Sequence, residues 1–221
     1  MLRRRFFWIL LLVLLGAAVV TGLILSRFFK HTSAARPSDR YAGEIAQLYS
    51  SVDRDGDGLD DQSDILEGAL AYVATCPVYE SKYYAGGYPD DGCGVCTDVV
   101  AAALKAAGYD LRSLVAEDVA AAPEAYQIET PDANIDYRRV RNLKVYFVRH
   151  AVNLTLDLSD LSAWQGGDVV IFQNHIGIIS DRRNKAGVPY VIHHNDAFQF
   201  RYEEDILESR KDIVGHYRVS E

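Results

Sequence analysis

The chain has 221 residues, 49% hydrophobic and 24% charged, a globular composition that excludes disorder, collagen-like repeats and coiled coil as its main state. It carries 23 basic and 31 acidic residues, but five bases (Arg3, Arg4, Arg5, Arg27 and Lys30) fall in the first thirty positions, leaving 18 bases against 31 acids, a balance of −13. A general nucleic-acid binder needs the opposite sign, so nucleic acid is not an expected partner.

Residues 1–5 read as a basic tail, and Phe6 to Leu25 form an uncharged run of twenty. That is the length of a helix crossing about 30 Å of hydrocarbon, so 6–26 is expected to be a transmembrane anchor. The positive charge before it puts the tail inside and the rest of the chain outside, as a single-pass protein. A cleaved signal peptide competes. Its small-x-small site would be Ser33-Ala34-Ala35, which lies eight to ten residues beyond the apolar run and precedes Arg36-Pro37. No cysteine precedes Cys76, which leaves no lipoprotein-type acylation site near the start. Residues 27–41 are mostly polar, include Pro37 and read as a tether. The remaining residues suit one compact domain, with a helical segment at 42–68 leading into a main body at 69–221.

Within that segment, Asp53-Arg54-Asp55-Gly56-Asp57-Gly58-Leu59-Asp60-Asp61-Gln62-Ser63-Asp64 has the spacing of a calcium loop. Asp53, Asp55, Asp57, Asp61 and Asp64 fall at ligand positions, Leu59 offers its carbonyl, and Gly58 permits the turn. Calcium takes about six to eight oxygens, which alternate carboxylates on a tight loop can supply. A structural Ca²⁺ bracing helices at Ala42–Ser50 and Asp64–Thr75 is the expectation. The competing reading is a solvated turn whose aspartates cap the following helix.

The next informative stretch runs from Gly92 to Gly108. Val99, Val100, Ala103, Leu104 and Ala107 recur at helical spacing, and Gly108 is a natural stop. Cys96 therefore opens a helix, where free N–H groups and the positive dipole end favour a nucleophilic thiolate. Three other readings stand beside this one: Cys96 as a small buried residue, Cys93-x-x-Cys96 as a redox pair, or a Cys76–Cys93 disulfide that leaves Cys96 free. The loop before Cys93, rich in tyrosine, glycine and aspartate, is unlike the buried strand that delivers a thioredoxin-type motif.

A nucleophilic cysteine needs a base, and the chain has six histidines. His31 sits in the tether and His150 suits a helix end. His175 differs: it follows the strand-like run Gly167–Phe172 across a Gln173-Asn174 turn and opens a second run, His175–Ser180. A third strand-like run, Pro189–Asn195, carries His193 and His194 on opposite faces, so only one of them can meet His175.

The order of a cysteine opening a helix, Gly-Asp-Val-Val-Ile-Phe, His-Ile-Gly-Ile-Ile and a polar residue in the next strand resembles the papain-like cell-wall peptidases of the NlpC type. More closely, Gly94–Val100, Asn134–Val140, Ile192–His194 and Gly215–Arg218 resemble a bacterial domain family of unknown function, number 1287, placed in that superfamily; the likeness covers about Ala69 to Val219. The resemblance implies an α+β, papain-like fold with a helical half on a small antiparallel sheet. It implies Cys96 as nucleophile, His175 as general base and His193 as the residue orienting His175, with His194 and Asn195 as alternatives for that last role. It further implies a hydrolase at the bacterial membrane acting on peptidoglycan stem peptides, with no catalytic cofactor.

Two further features suit such a substrate. The charged segment Asn134–Asn142 is a candidate for its pocket, since arginine can bind carboxylates in bidentate fashion; the resemblance favours Asp136 and Arg138 within it, and the competing reading is a solvated helix whose arginines pair with the acidic surface. Tyr79, Tyr83, Tyr84 and Tyr88 either line a sugar-peptide groove or are packing residues. Rivals from other classes are a thiol-disulfide protein using Cys93 and Cys96, and a calcium-stabilised wall-binding module without catalysis. His216-Tyr217-Arg218 reads as the end of the last strand.

Overall fold

The computed structural model describes residues 2–28 and 32–221; Met1 of the basic tail and residues 29–31 of the tether, His31 among them, lie outside the described residues. The chain divides into two units, 1–31 and 32–221. In the first, helix α1 spans Leu2–Phe28. Its described side chains, 4–5 and 7–22, are exposed. Among the described residues no helix is long and apolar enough to cross a membrane.

The second unit contains α2 (Asp61–Ala74), β1 (Val78–Tyr79), β2 (Cys93–Gly94), α3 (Cys96–Ala106), α4 (Leu111–Ala121), α5 (Pro123–Tyr126) and α6 (Val140–His150). Then come β3 (Val152–Asn153), β4 (Val169–Phe172), β5 (His175–Arg183), β6 (Pro189–Ile192), β7 (Glu203–Glu204) and β8 (Ile213–Arg218). The architecture is α+β. Six antiparallel strands form one sheet in the order β3-β8-β4-β5-β6-β7.

The period of two in each strand divides the apolar residues between the faces of that sheet. Val169, Ile171, Ile176, Ile178 and Ile192 pack with Ile65, Leu66, Val99, Val100 and Leu104 of α2 and α3 in the main core. Val170, Phe172, Ile179 and Val191 face the other way, against Trp164, Val188 and Leu207. Because both faces are covered, β4 and the start of β5 read as continuous apolar runs. The helices cross closely at Gly68, where an added Cβ would lie 2.5 Å from Ala106 Cβ.

Two expectations change here. Residues 42–50 form no helix. Their backbone is satisfied by tertiary partners instead: Leu48 N–H donates to Gln165 Oε1 at 3.1 Å, Ala46 O accepts from Gln165 Nε2 at 3.3 Å, and Ser50 N–H donates to Asp60 Oδ1 at 2.7 Å. A nine-residue helix is marginal by itself, so such partners decide its conformation. Residues 32–41 are not a free tether either. Ser33 bridges Arg201, its N–H donating to Phe200 O at 2.8 Å, while the Arg36 guanidinium pairs with Glu203 at 2.9 Å and with Asp181.

Candidate active site

Helix α3 begins at Cys96 because Asp98, two residues on, accepts the Val95 N–H at 2.8 Å and satisfies one of the donors a helix start leaves free. Asp98 is fixed in turn by Arg138, whose Nε and Nη2 each lie 2.8 Å from a different carboxylate oxygen, both side chains being 2% exposed. A third Arg138 donor reaches Lys82 O. Gly108, with φ +75°, follows the helix as expected.

α3 packs on β5, and the backbone N–H groups of Ile176, next to His175, and of Thr97 and Cys96 act on the Cys96 sulfur. Burial pushes the thiol up to about 11, against the pull of these N–H groups. The helix dipole alone suggested a lowered thiol pKa; desolvation of the charged form is the larger effect in this protein.

His175 is 5% exposed, and its Nε2 lies 3.0 Å from Nδ1 of His193. Burial, with the neighbouring His193, lowers its pKa to about 3, so the imidazole is neutral at neutral pH. On its far side His193 Nε2 lies 3.4 Å from Glu204 Oε2 and 3.3 Å from Gln199 Nε2. The strands make this contact possible at Gly177, where an added Cβ would stand 2.6 Å from Val191 Cγ1 and 3.1 Å from His193 Cβ.

His194 faces the other way, edge-on to both Tyr79 and Tyr202, with neither ring nitrogen hydrogen-bonded. Asn195 bonds Asp196 at 2.8 Å. Of the three candidates for orienting His175, His193 is the one in contact with it. Gln199 and Glu204 were missed: neither stands in a motif, Glu204 being brought to His193 by the pairing of β6 with β7 and Gln199 by the segment that connects those strands.

The structure gives Asp136 and Arg138 a different place from the one expected of substrate ligands. Both are buried, Asp136 Oδ2 accepting the Asp132 N–H at 2.7 Å and Arg138 holding Asp98. The 40 positions between Arg138 and Asp98 hid that role. Three of the four tyrosines pack the loop before Cys93 through acids: Tyr83 bonds Asp132, Tyr84 bonds Asp91 and Tyr88 bonds Asp110. Cys76, Cys93 and Cys96 are all unpaired, Cys93 lying 3.6 Å from both Lys82 Nζ and a Glu80 oxygen.

His216 ends up within β8, stacked 3.8 Å over Trp164, its Nε2 3.0 Å from Asp168. Asp168 also accepts from Arg218 twice, from Gln62 Nε2 at 2.9 Å and from the Gln165 N–H at 2.8 Å. This buried hub ties α2 to the sheet behind the site.

At the calcium-type loop, ligand oxygens of Asp53, Asp55 and Asp57 lie within 4.8 Å of one another. Asp60 caps α2, accepting the N–H groups of Gln62 and Ser63, so the helix begins at Asp61, three residues earlier than expected. Asp61 turns to the Tyr109 hydroxyl and the Arg54 N–H. Leu59 N–H donates to Asp57 Oδ1 at 2.8 Å, and Asp64 is 6% exposed.

Residues 66–219 match the family described as "Domain of unknown function (DUF1287)". The chain belongs to that family. It is also 37% identical over 167 residues to the "Uncharacterized protein YijF" of Escherichia coli (strain K12), a match covering 70% of this chain and 80% of that protein. No solved structure matches it.

Proposed function

We propose that this DUF1287 chain is a cysteine hydrolase of papain-like, NlpC type that cuts a peptide or amide bond in peptidoglycan stem peptides. The observation that carries the proposal is that the Cys96 thiol, at a helix start, is acted on by the backbone N–H of Ile176, the residue after His175, whose buried imidazole is held by that of His193. In this reading His175 takes the Cys96 proton as sulfur attacks the amide carbonyl, so the thiolate forms during the step and not before it. The Cys96 N–H, at the free end of α3, stabilises the oxyanion. The C–N bond then breaks, His175 giving its proton to the leaving amine. Water, deprotonated by His175, attacks the thioester; the C–S bond breaks and the sulfur recovers its proton, leaving a new carboxylate. His193 is a positioning residue that fixes the tautomer and plane of His175, with Glu204 and Gln199 steadying it in turn. The reaction needs no cofactor.

The uncharged run at 6–25 and the arginines before it support an anchor in the bacterial membrane, with the domain outside. The test is mass spectrometry of peptidoglycan incubated with the full chain in detergent. New fragments are expected from wild type and Cys93→Ser, and none from Cys96→Ala. Loss of activity with either cysteine would instead indicate disulfide chemistry, and wall binding without fragments a non-catalytic module.

A further inference from the structure

The loop at 53–64 stands outside the proposed chemistry. Asp53, Asp55 and Asp57 are exposed and bring their carboxylate oxygens together, yet several loop N–H groups already turn inward on them: Asp53 accepts from Gly56 at 2.8 Å and from Gly58 at 3.0 Å. Three converging acids alone decide nothing. The second observation comes from α2. Asp64, at the twelfth loop position, is 94% buried, and its Oδ2 has no hydrogen-bond partner. An uncompensated buried carboxylate is costly unless it is paired, protonated or bound to a metal. The charges acting on it are those of Asp57, Asp55 and Asp53, followed by Asp61. No cation of the protein is among those charges.

We infer that residues 53–64 form a calcium site in which Asp53, Asp55, Asp57, the Leu59 carbonyl and the buried Asp64 carboxylate are ligands. All five are oxygen donors, the set a hard cation takes, and their number and flexibility suit Ca²⁺ better than the stricter octahedron of Mg²⁺. Asp61, at the ninth position, acts through a water, which leaves its bonds to Tyr109 and Arg54 intact. The role is structural. The ion ties the start of α2 to the turn after α3, where Asp55 Cβ lies 3.2 Å from the Cβ position of Gly108. Cys96 is at the opposite end of α3, about 16 Å away along eleven residues.

The test is thermal unfolding and calorimetric titration of the EDTA-stripped full chain in detergent, with calcium chloride as the probe and magnesium chloride as the comparison. Calcium at ten times its dissociation constant is expected to raise Tm by roughly 3–6 °C, magnesium much less. Asp57→Asn and Asp64→Asn are expected to fold and to lose most of the shift and the binding heat, Asp64→Asn without any fall in metal-free Tm. No calcium heat from wild type, an equal response to magnesium, or a full calcium shift in both variants would overturn the assignment.

Discussion

At the residue scale, burial governs the site's acid–base behaviour. His175 is held down to about 3 and His194 to about 4, both first by desolvation, against 6.5 in an unfolded chain. The unfolded chain therefore binds protons that the folded one refuses. Stability from these two residues is complete above pH 6.5 and falls as pH drops from there toward 3–4. Urea melts between pH 7.5 and 4 are expected to show that decline. His194→Phe, which keeps a ring between Tyr79 and Tyr202, should flatten it, and an unchanged slope in this variant would count against His194 as a contributor. The same burial acts on Cys96: at pH 8 an alkylating reagent is expected to modify exposed Cys76 well before Cys96, as followed by peptide mass mapping. Rapid labelling of Cys96 at pH 6 would instead reveal a preformed thiolate.

At the element scale, the start of α3 depends on one buried ion pair. Arg138→Ala strands Asp98 without its partner and is expected to cost about 3–5 kcal/mol in urea unfolding. A loss well under 1 kcal/mol would show that Arg138 serves another purpose. Gly177→Ala separates β5 from β6 where His193 reaches His175, so wall hydrolysis is expected to fall by about 100-fold in a protein that still folds. The strands β4 and β5 were legible because unbroken apolar runs flank a two-residue turn. So was the helix at Cys96, from its periodicity and its glycine stop. The choice among His193, His194 and Asn195 was not, since alternation shows that neighbours diverge but not which one faces a given partner. Nor could the sequence reveal that Arg138 reaches back to Asp98 or Arg218 to Asp168, because the spacing of a charge gives no sign of a partner 40 or 50 residues away. The 42–50 segment misled for a related reason: its partners, Gln165 and Asp60, belong to other elements.

At the scale of the whole molecule, residues 32–41 belong to the folded body, with Ser33 bridging Arg201 beside β7 and Arg36 joining Glu203 of β7 to Asp181 of β5. A chain starting at Thr32 is thus expected to melt several degrees above one starting at Ala42, and equal Tm values would return this segment to the status of a tether. The same edge of the sheet carries Gln199 and Glu204 behind His193, so loss of 32–41 is expected to lower activity as well. The central claim is that Cys96 opens an amide of the wall and that water then completes the hydrolysis. The most direct measurement is mass spectrometry of peptidoglycan fragments formed in ¹⁸O-labelled water. The expected result is one ¹⁸O in a newly formed carboxylate with wild type and none with Cys96→Ala. Unlabelled wild-type products, or equal labelling by the two proteins, would contradict it.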